Sequence, residues 1–329
     1  MVSVIIPVYN GQNFIYDAID SVIKQTFKDI EILVVDDGST DKTAEIVYRF
    51  ASIDNRIKYL WQENAGPSAA RNHGIEASSG EYIAFLDADD ILPANYLESL
   101  VNTIAENDIA VCGLKFYNQD GSVEVMPSNG EYTCGQFISA SLIGDISPLV
   151  GFTGPVARMF RRNLITENNI RFNTSYRYGE DTVFNLQYLA CCKKIVSTNS
   201  TYYHVNQQEI SLSNSTNLDK YNAYKDIKKE MKNLLFINNL ENTSVVKNSS
   251  MYFVDNFFAR AGEILNVNNS RNWKEEHLTA LLASGIVDKA DITQARGNSL
   301  PWKLLKIIIG IKSGKALLWW FILAPKMGV

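Results

Sequence analysis

Phe85-Leu86-Asp87-Ala88-Asp89-Asp90 closes a short apolar run, Tyr82 to Leu86, with three acids in four positions. Upstream, Val34-Val35-Asp36-Asp37-Gly38-Ser39-Thr40-Asp41 closes a second run, Ile30 to Val35, in the same manner. Both runs read as buried strands. Carboxylates therefore gather where strands end, the edge at which open α/β sheets bind their ligands. Acids packed so closely repel one another unless a cation or a donor-rich ligand compensates. The pattern points to a site for a metal and a diphosphate.

Working outward, Val2 to Val8 is β-branched and apolar and reads as a first strand. Ile15, Ala18, Ile19, Val22 and Ile23 then share one face of a helix. Ser39, Thr40 or Asp41 can cap a helix running to about Ser52, and Ile57 to Trp61 is a third strand. Gly66-Pro67 opens a helix through Ile75, and Pro93 starts one carrying Leu97, Leu100, Val101 and Ile104. Successive βα units predict an α/β fold with a mostly parallel, doubly wound sheet. After Ile109 to Phe116 the rhythm changes. Asp120-Gly121 suggests a hairpin, helices are expected near Gly135–Ile143, Arg158–Glu167 and Thr182–Cys192, and Ser200 to Val205 reads as a strand. Beyond about Asn217 the chain is largely helical and rich in Asn and Lys. The expected organisation is a catalytic region 1–217 with halves 1–110 and 111–217, a helical extension 218–300 and a tail 301–329.

Length 329, hydrophobic content 46% and charged content 20% are those of a globular protein, and a net charge of −5 gives no reason to expect nucleic acid as partner. Cys112, Cys134, Cys191 and Cys192 lack zinc spacing, and the adjacent pair would make a strained disulfide, which fits a reducing compartment. The start, Met1 to Pro7, lacks the basic region and long apolar core of a secretory signal. The tail holds five lysines and no acid beside Trp302, Trp319 and Trp320. Its longest apolar run, Ala316 to Ala324, is nine residues, against the roughly 20 needed to span a bilayer. It suits a segment lying on a membrane surface, or a helix pair packed on the rest of the chain.

In an extended segment Asp87 and Asp89 face the same side and can converge on Mg²⁺ or Mn²⁺; the plainer reading is capping of the following helix. Asp36 or Asp37 can accept from a base or a ribose hydroxyl, or simply shape a Gly-containing turn. Asn64-Ala65-Gly66-Pro67-Ser68-Ala69-Ala70-Arg71-Asn72 offers a helix N-terminus and a guanidinium fork; the alternative for Arg71 is a salt bridge to a nearby acid.

Val4-Ile5-Ile6-Pro7-Val8-Tyr9-Asn10, the Asp-Asp-Gly-Ser-Thr-Asp turn, Asn64-x-Gly66 to Arg71-Asn72 and the Phe85–Asp90 segment stand in the order and spacing of family 2 glycosyltransferases, which the sequence resembles over about residues 2 to 110. These are inverting enzymes of the GT-A fold. A weaker match continues through Gly154–Ile165 and Tyr178-Gly179-Glu180-Asp181 to Tyr203. The resemblance implies that Pro7, Tyr9, Asn64, Asp37 and Arg71 hold the nucleotide, that Asp87 lies near ribose and metal, and that Asp89 binds the metal. Asp181 matches the general base, and His204 a third metal ligand present in some relatives. An Asp, with its ordinary pKa of about 3.9, is ionised at neutral pH and able to take the acceptor's proton; Asp181 can equally cap its helix. Arg158 stands where many relatives carry a Lys, which puts its contact with phosphate or acceptor in doubt.

The resemblance thus implies a metal-dependent enzyme moving a sugar from a UDP-sugar to a glycan or lipid-linked glycan in bacterial surface-polysaccharide synthesis, at the inner face of the membrane. Two other readings stay open. A nucleotidyltransferase would need a Gly-rich, basic loop after the first strand, and Val8-Tyr9-Asn10-Gly11-Gln12-Asn13 carries no cation. A non-catalytic glycan-binding protein on the same fold would not need Asp87, Asp89 and Asp181 intact.

Overall fold

Strand and helix alternate through the first third of the chain in the computed structural model: β1 (Val2–Val8), α1 (Ile15–Ile23), β2 (Ile30–Asp36), α2 (Thr43–Ala51), β3 (Ile57–Trp61), α3 (Pro67–Ala77), β4 (Tyr82–Phe85) and α4 (Tyr96–Ile104). Then come β5 (Ile109–Asn118), β6 (Gly121–Val125), β7 (Gly130–Thr133), α5 (Cys134–Ile143), α6 (Pro148–Gly151), β8 (Arg158–Arg161), α7 (Arg162–Glu167), α8 (Glu180–Cys191) and β9 (Lys194–Asn206). The structure describes residues 1–118, 121–143, 145–176, 178–206, 221, 223–241, 244–297 and 299–327. The chain divides into two units, Met1–Ser211 and Leu212–Val329. The boundary expected near Asn217 lies outside the described residues, as does Asp120 of the expected hairpin.

The first unit is built on one nine-stranded sheet ordered β3-β2-β1-β4-β8-β5-β9-β7, with β6 on β5. β3, β2, β1 and β4 run parallel, β8 is antiparallel to both its neighbours, and β5 and β9 are parallel again. Every residue of β1 and β2 is buried, as their largely apolar runs, interrupted by Ser3 and Glu31, require of strands covered on both faces. Gly74 lets α3 approach β1: a Cβ there would meet Ile5 Cγ2 at 2.4 Å.

The helix expected over Arg158–Glu167 is instead strand β8 followed by α7. The four residues Arg158–Arg161 close the gap between β4 and β5, so sheet pairing overrides local preference. The helix expected to start at Pro93 starts at Tyr96, because the Pro93 carbonyl is held by Gln25 Nε2 at 2.8 Å and Tyr96 N at 2.9 Å. The hairpin at Gly121 forms, with Asn118 opposite Gly121.

An aromatic cluster ties β4 to α8. Phe172 and Phe184 stack at 4.0 Å and 3°, and Phe85 meets both edge-on at 5.4 and 6.1 Å. Phe160 and Tyr188 extend it.

In the second unit the described residues form α9 (Tyr224–Ile237), α10 (Ser244–Asn266), α11 (Arg271–Ala283), α12 (Lys289–Arg296), α13 (Leu300–Ile311) and α14 (Gly314–Leu323). Buried Lys228 pairs with Asp288 at 2.6 Å and with Asp291, which also make a capping box at the start of α12. The last two helices turn Leu305, Ile309, Leu317 and Trp320 into the core of this unit. Among the described residues no helix is long and apolar enough to cross a membrane.

Glu31 joins four segments of the first unit. It accepts from Ser3 Oγ at 2.6 Å, Ser79 N at 2.6 Å, Gly80 N at 3.2 Å and Lys58 Nζ at 2.8 Å. Burial opposes its charge, but the bonds from Lys58, Ser3 and Ser79 prevail and hold the carboxyl down to about 2. With the folded value below the ordinary one, this stability is complete above about pH 4.5 and is lost as the pH falls toward 2. Denaturant titrations of Glu31→Gln should therefore show a loss at pH 7 that shrinks steadily below pH 4.5. A loss independent of pH would show that charge is not what binds these segments.

Candidate active site

β1, β2 and β4 end side by side. Asp37 N bonds Val8 O at 2.8 Å and Leu86 N bonds Ile5 O at 3.0 Å, which brings the two acidic turns together. Pro7 is buried within β1, opposite Val35, and Tyr9 just beyond it is 51% exposed. Asp36 is buried and takes Ser39 N at 2.8 Å and Tyr59 OH at 2.7 Å.

Buried Asp37 organises the loop before α3. Its Oδ1 accepts from Gln62 Nε2 at 2.7 Å and Ala65 N at 2.9 Å, and its Oδ2 from Gly66 N at 2.8 Å. A carboxylate has about four lone-pair sites, so one remains. Gly38 makes the crossing possible: its φ is +79°, and a Cβ would lie 2.9 Å from Asn64 N. Asn64 itself is exposed. The helix after this turn has Lys42 at its cap with no side-chain bond; Asp41 instead accepts from Thr43 N at 2.9 Å and Gln12 N at 2.9 Å.

The Asp87–Asp90 turn carries concentrated negative charge. Burial and the charge of Asp87 raise the Asp89 carboxyl, and burial with the charges of Asp87 and Asp89 pushes Asp90 up to about 8. Asp90 is not exposed for capping. It accepts from Tyr203 OH at 2.8 Å and Asn206 N at 2.8 Å, while Asp87 N donates to the same Tyr203 oxygen at 3.0 Å. Asn206 Nδ2 also holds the Asp89 carbonyl at 2.9 Å. The fourth strand's turn is thus fastened to β9. Acids crowded until their pKa values rise suit a divalent cation, which favours their charged forms.

Arg71 connects this turn to α8. The residue is buried, and its guanidinium bonds Asp87 Oδ1 at 2.9 Å, lies 3.6 Å from Glu180 Oε1 and sits 5.4 Å from the centre of the Phe172 ring. Burial works against the Arg71 charge, and Asp87, Glu180 and Asp181 more than offset it. Burial and neighbouring Asp181 push Glu180 up to about 7, against the pull of Arg71. Next to Arg71, Asn72 grips the Phe172 backbone twice, through Nδ2 to O at 2.8 Å and Oδ1 from N at 2.9 Å. Asp181 stands in the first turn of α8, which Gly179 caps in the left-handed region, and its Oδ1 accepts from Thr182 N at 2.7 Å.

The structure gathers Asp87, Arg71, Glu180 and Asp181 into one electrostatic cluster, with Asp89 on the adjoining turn. His204 lies on β9, its backbone bridged to Ile91 and its ring 5.2 Å from Tyr117, whose OH is 3.4 Å from Nδ1. Among the described residues no three His, Cys, Asp or Glu side chains are placed to hold a metal ion. Arg158 makes no phosphate-like opening. It is fully buried, with its guanidinium against the carbonyls of Val150, Gly151, Thr153 and Val156 at 3.0 to 3.5 Å, and burial lowers its pKa to about 10. Sequence reading missed Glu180 as the partner of Arg71, and Tyr203 and Asn206 as supports of the acidic turn. Only the Glu-Asp adjacency hinted at the first.

Residues 3–172 match the family model described as Glycosyl transferase family 2. The Streptococcus pneumoniae glycosyltransferase GlyA is 34% identical over 220 residues, 64% of this chain and 31% of GlyA. Bacillus subtilis EpsJ, also named a glycosyltransferase, is 35% identical over 191 residues, 56% of this chain and 55% of EpsJ. The match thus spans less than two thirds of either relative. In fold, the chain resembles Staphylococcus aureus TarS in complex with UDP-GlcNAc, with a TM-score of 0.73 at 22% identity over 96% of this chain and 88% of that one. A mannosyltransferase of Pyrobaculum calidifontis, in complex with GDP-Man and Mn²⁺, gives 0.51 at 16% identity over 96% and 86%.

Removing the cation between two acids leaves both without their partner. Arg71→Met should cost about 3–5 kcal/mol at neutral pH, read by chemical denaturation. The cost should shrink toward pH 5, where Glu180, with its carboxyl near 7, holds a proton. An equal cost at both pH values would mean that the charge of Glu180 contributes nothing to holding Arg71.

Proposed function

The chain belongs to glycosyl transferase family 2, and on that premise we propose that it moves a sugar from a UDP-sugar to a hydroxyl of a glycan or lipid-linked glycan acceptor, with inversion at the anomeric carbon. The observation that carries this reading is the convergence on Arg71 of Asp87 from the end of β4 and of Glu180-Asp181 from the start of α8. It sets a diphosphate-facing acid and a proton acceptor in one cluster.

In this reading exposed Tyr9 stacks on the base above Pro7, and the remaining lone pair of Asp37 takes a base N–H. Asn64 contacts the nucleotide from the same loop. Arg71 acts by fixing Asp87 beside the ribose. UDP is favoured over other nucleotides because TarS, which shares this fold, binds UDP-GlcNAc; the transferred group is then a hexosyl or N-acetylhexosaminyl unit. Asp87 and Asp89 would hold Mg²⁺ or Mn²⁺, leaving its other positions to water and phosphate oxygens. His204 would join them only by leaving Tyr117. When bound, the cation offsets the charge of the departing diphosphate. Asp181, with Oδ1 engaged by Thr182 N, takes the acceptor proton on Oδ2 as the hydroxyl attacks opposite the leaving group. Attack from that side inverts the carbon without a covalent intermediate on the protein.

The setting we propose is cell-surface polysaccharide synthesis, with the protein peripheral on the cytoplasmic face of the membrane. The lysine- and tryptophan-bearing tail supports that placement.

Incubation with UDP-, GDP- and dTDP-sugars, with and without Mn²⁺, should give metal-dependent hydrolysis of a UDP-sugar. Hydrolysis of none of them, or none that needs metal, rejects the donor reading. Asp181→Asn should lower transfer by about 10²–10⁴-fold while UDP affinity stays within twofold; undiminished transfer removes Asp181 as the base. By calorimetry, Asp89→Ala should weaken Mn²⁺-dependent UDP binding at least tenfold, and unchanged binding would take Asp89 out of the metal site.

A further inference from the structure

The two closing helices of the second unit have two faces. Inward, Leu305, Ile309, Leu317 and Trp320 pack into its core, and Trp320 Nε1 bonds Pro301 O at 3.0 Å. Outward, Leu300 (65% exposed), Leu304, Ile307 (58%) and Ile311 (63%) recur at i, i+4, i+7 and i+11, a single stripe along α13. On α14, Lys315, Trp319 and Ile322 (50%) make a second stripe at i, i+4 and i+7. Large side chains repeated on one face of each helix are not scattered surface apolars, and such patches mark an interaction site.

The charge around the stripes identifies the occupant. Exposed Lys303 and Lys312 flank the α13 stripe, Lys315 heads that of α14, and the Arg271 guanidinium lies 5.3 Å from the centre of the Trp319 ring. No acid occurs from residue 297 onward, although the chain as a whole carries −5. Arg271 is itself paired with Glu275 at 2.9 Å, so the lysines carry the charge of the edge; an apolar stripe edged by lysines, with an indole at its rim, complements a bilayer of anionic lipids. The apolar side chains enter the acyl boundary, lysine stems extend along it with their ammonium groups at the phosphates, and the indole lies at headgroup depth. α13 and α14 have twelve and ten residues, too short to cross a bilayer, and would lie in its plane.

We propose that the α13–α14 hairpin is a docking surface for an anionic membrane, held by Leu304, Ile307, Ile311, Trp319 and Ile322 and selected by Lys303, Lys312 and Lys315. This deepens, and rests on, the reading of the chain as a transferase working on a membrane-held acceptor. It also resolves the two sequence alternatives into opposite sides of one hairpin.

Flotation of the full chain tests it. With vesicles of 30 mol% phosphatidylglycerol in phosphatidylcholine the chain should float, and with phosphatidylcholine alone it should float at least tenfold less. Ile307→Glu with Ile322→Glu should lower flotation at least tenfold without moving Tm, since both positions are exposed. Lys303→Ser, Lys312→Ser and Lys315→Ser together should abolish the preference for phosphatidylglycerol. Ile53→Glu, on an exposed position of the first unit, should change nothing. Failure of the wild type to float, or equal flotation of the double glutamate variant, overturns the proposal. So does a wild-type dimer in sedimentation that this variant dissolves, because the stripe would then be covered by a second copy. UDP-sugar hydrolysis measured on the same preparations separates the two readings. Hydrolysis without flotation sinks the surface alone, and flotation without hydrolysis leaves the surface standing while the transferase assignment fails.

Discussion

The stacked pair Phe172–Phe184, with Phe85 against its edge, is the contact on which the site depends. Phe85 is the last residue of β4, two positions before Asp87, and Phe184 lies one helical turn after Asp181. The backbone that carries each acid is thus anchored to rings that are fully buried. A close-packed aromatic core resists displacement because each ring fills space that nothing else can fill. The polar bonds above it, Asn72 on Phe172 and Arg71 between Asp87 and Glu180, refine a separation that packing has already set.

That foundation explains how charges of one sign coexist here. Asp87, Asp89, Asp90, Glu180 and Asp181 would separate in a flexible loop. At a strand end and a helix start they are held together, and burial with the neighbouring charges raises Asp89 and lifts Asp90 and Glu180 to about 8 and about 7. Arg71 is the internal countercharge. The first turn of α8 adds a favourable field for Glu180 and Asp181, since a helix N-terminus carries partial positive charge.

The first four βα units were legible in the sequence because their geometry is local. The largely apolar runs of β1 and β2, the amphipathic spacing of α1 and the acids at strand ends each declare themselves within a few residues. The stretch from β5 to β9 was not, because its order depends on long-range pairing. Arg158–Arg161 carries a helix-compatible pattern, yet becomes a strand since β4 and β5 leave room for one. The supports of the acidic turn come from Tyr203 and Asn206, far along the chain on β9, with no motif to announce them. The contact of Arg158 stayed open in the sequence for the same reason: sequence gives its charge but not the four carbonyls that enclose it.

That enclosure has a consequence for substitution at the position. The guanidinium reaches four main-chain oxygens, those of Val150, Gly151, Thr153 and Val156. A lysine ammonium has three donors on one nitrogen instead of five spread over a planar fork, so a lysine here would leave at least one of those carbonyls without its bond and could not enclose the same turn.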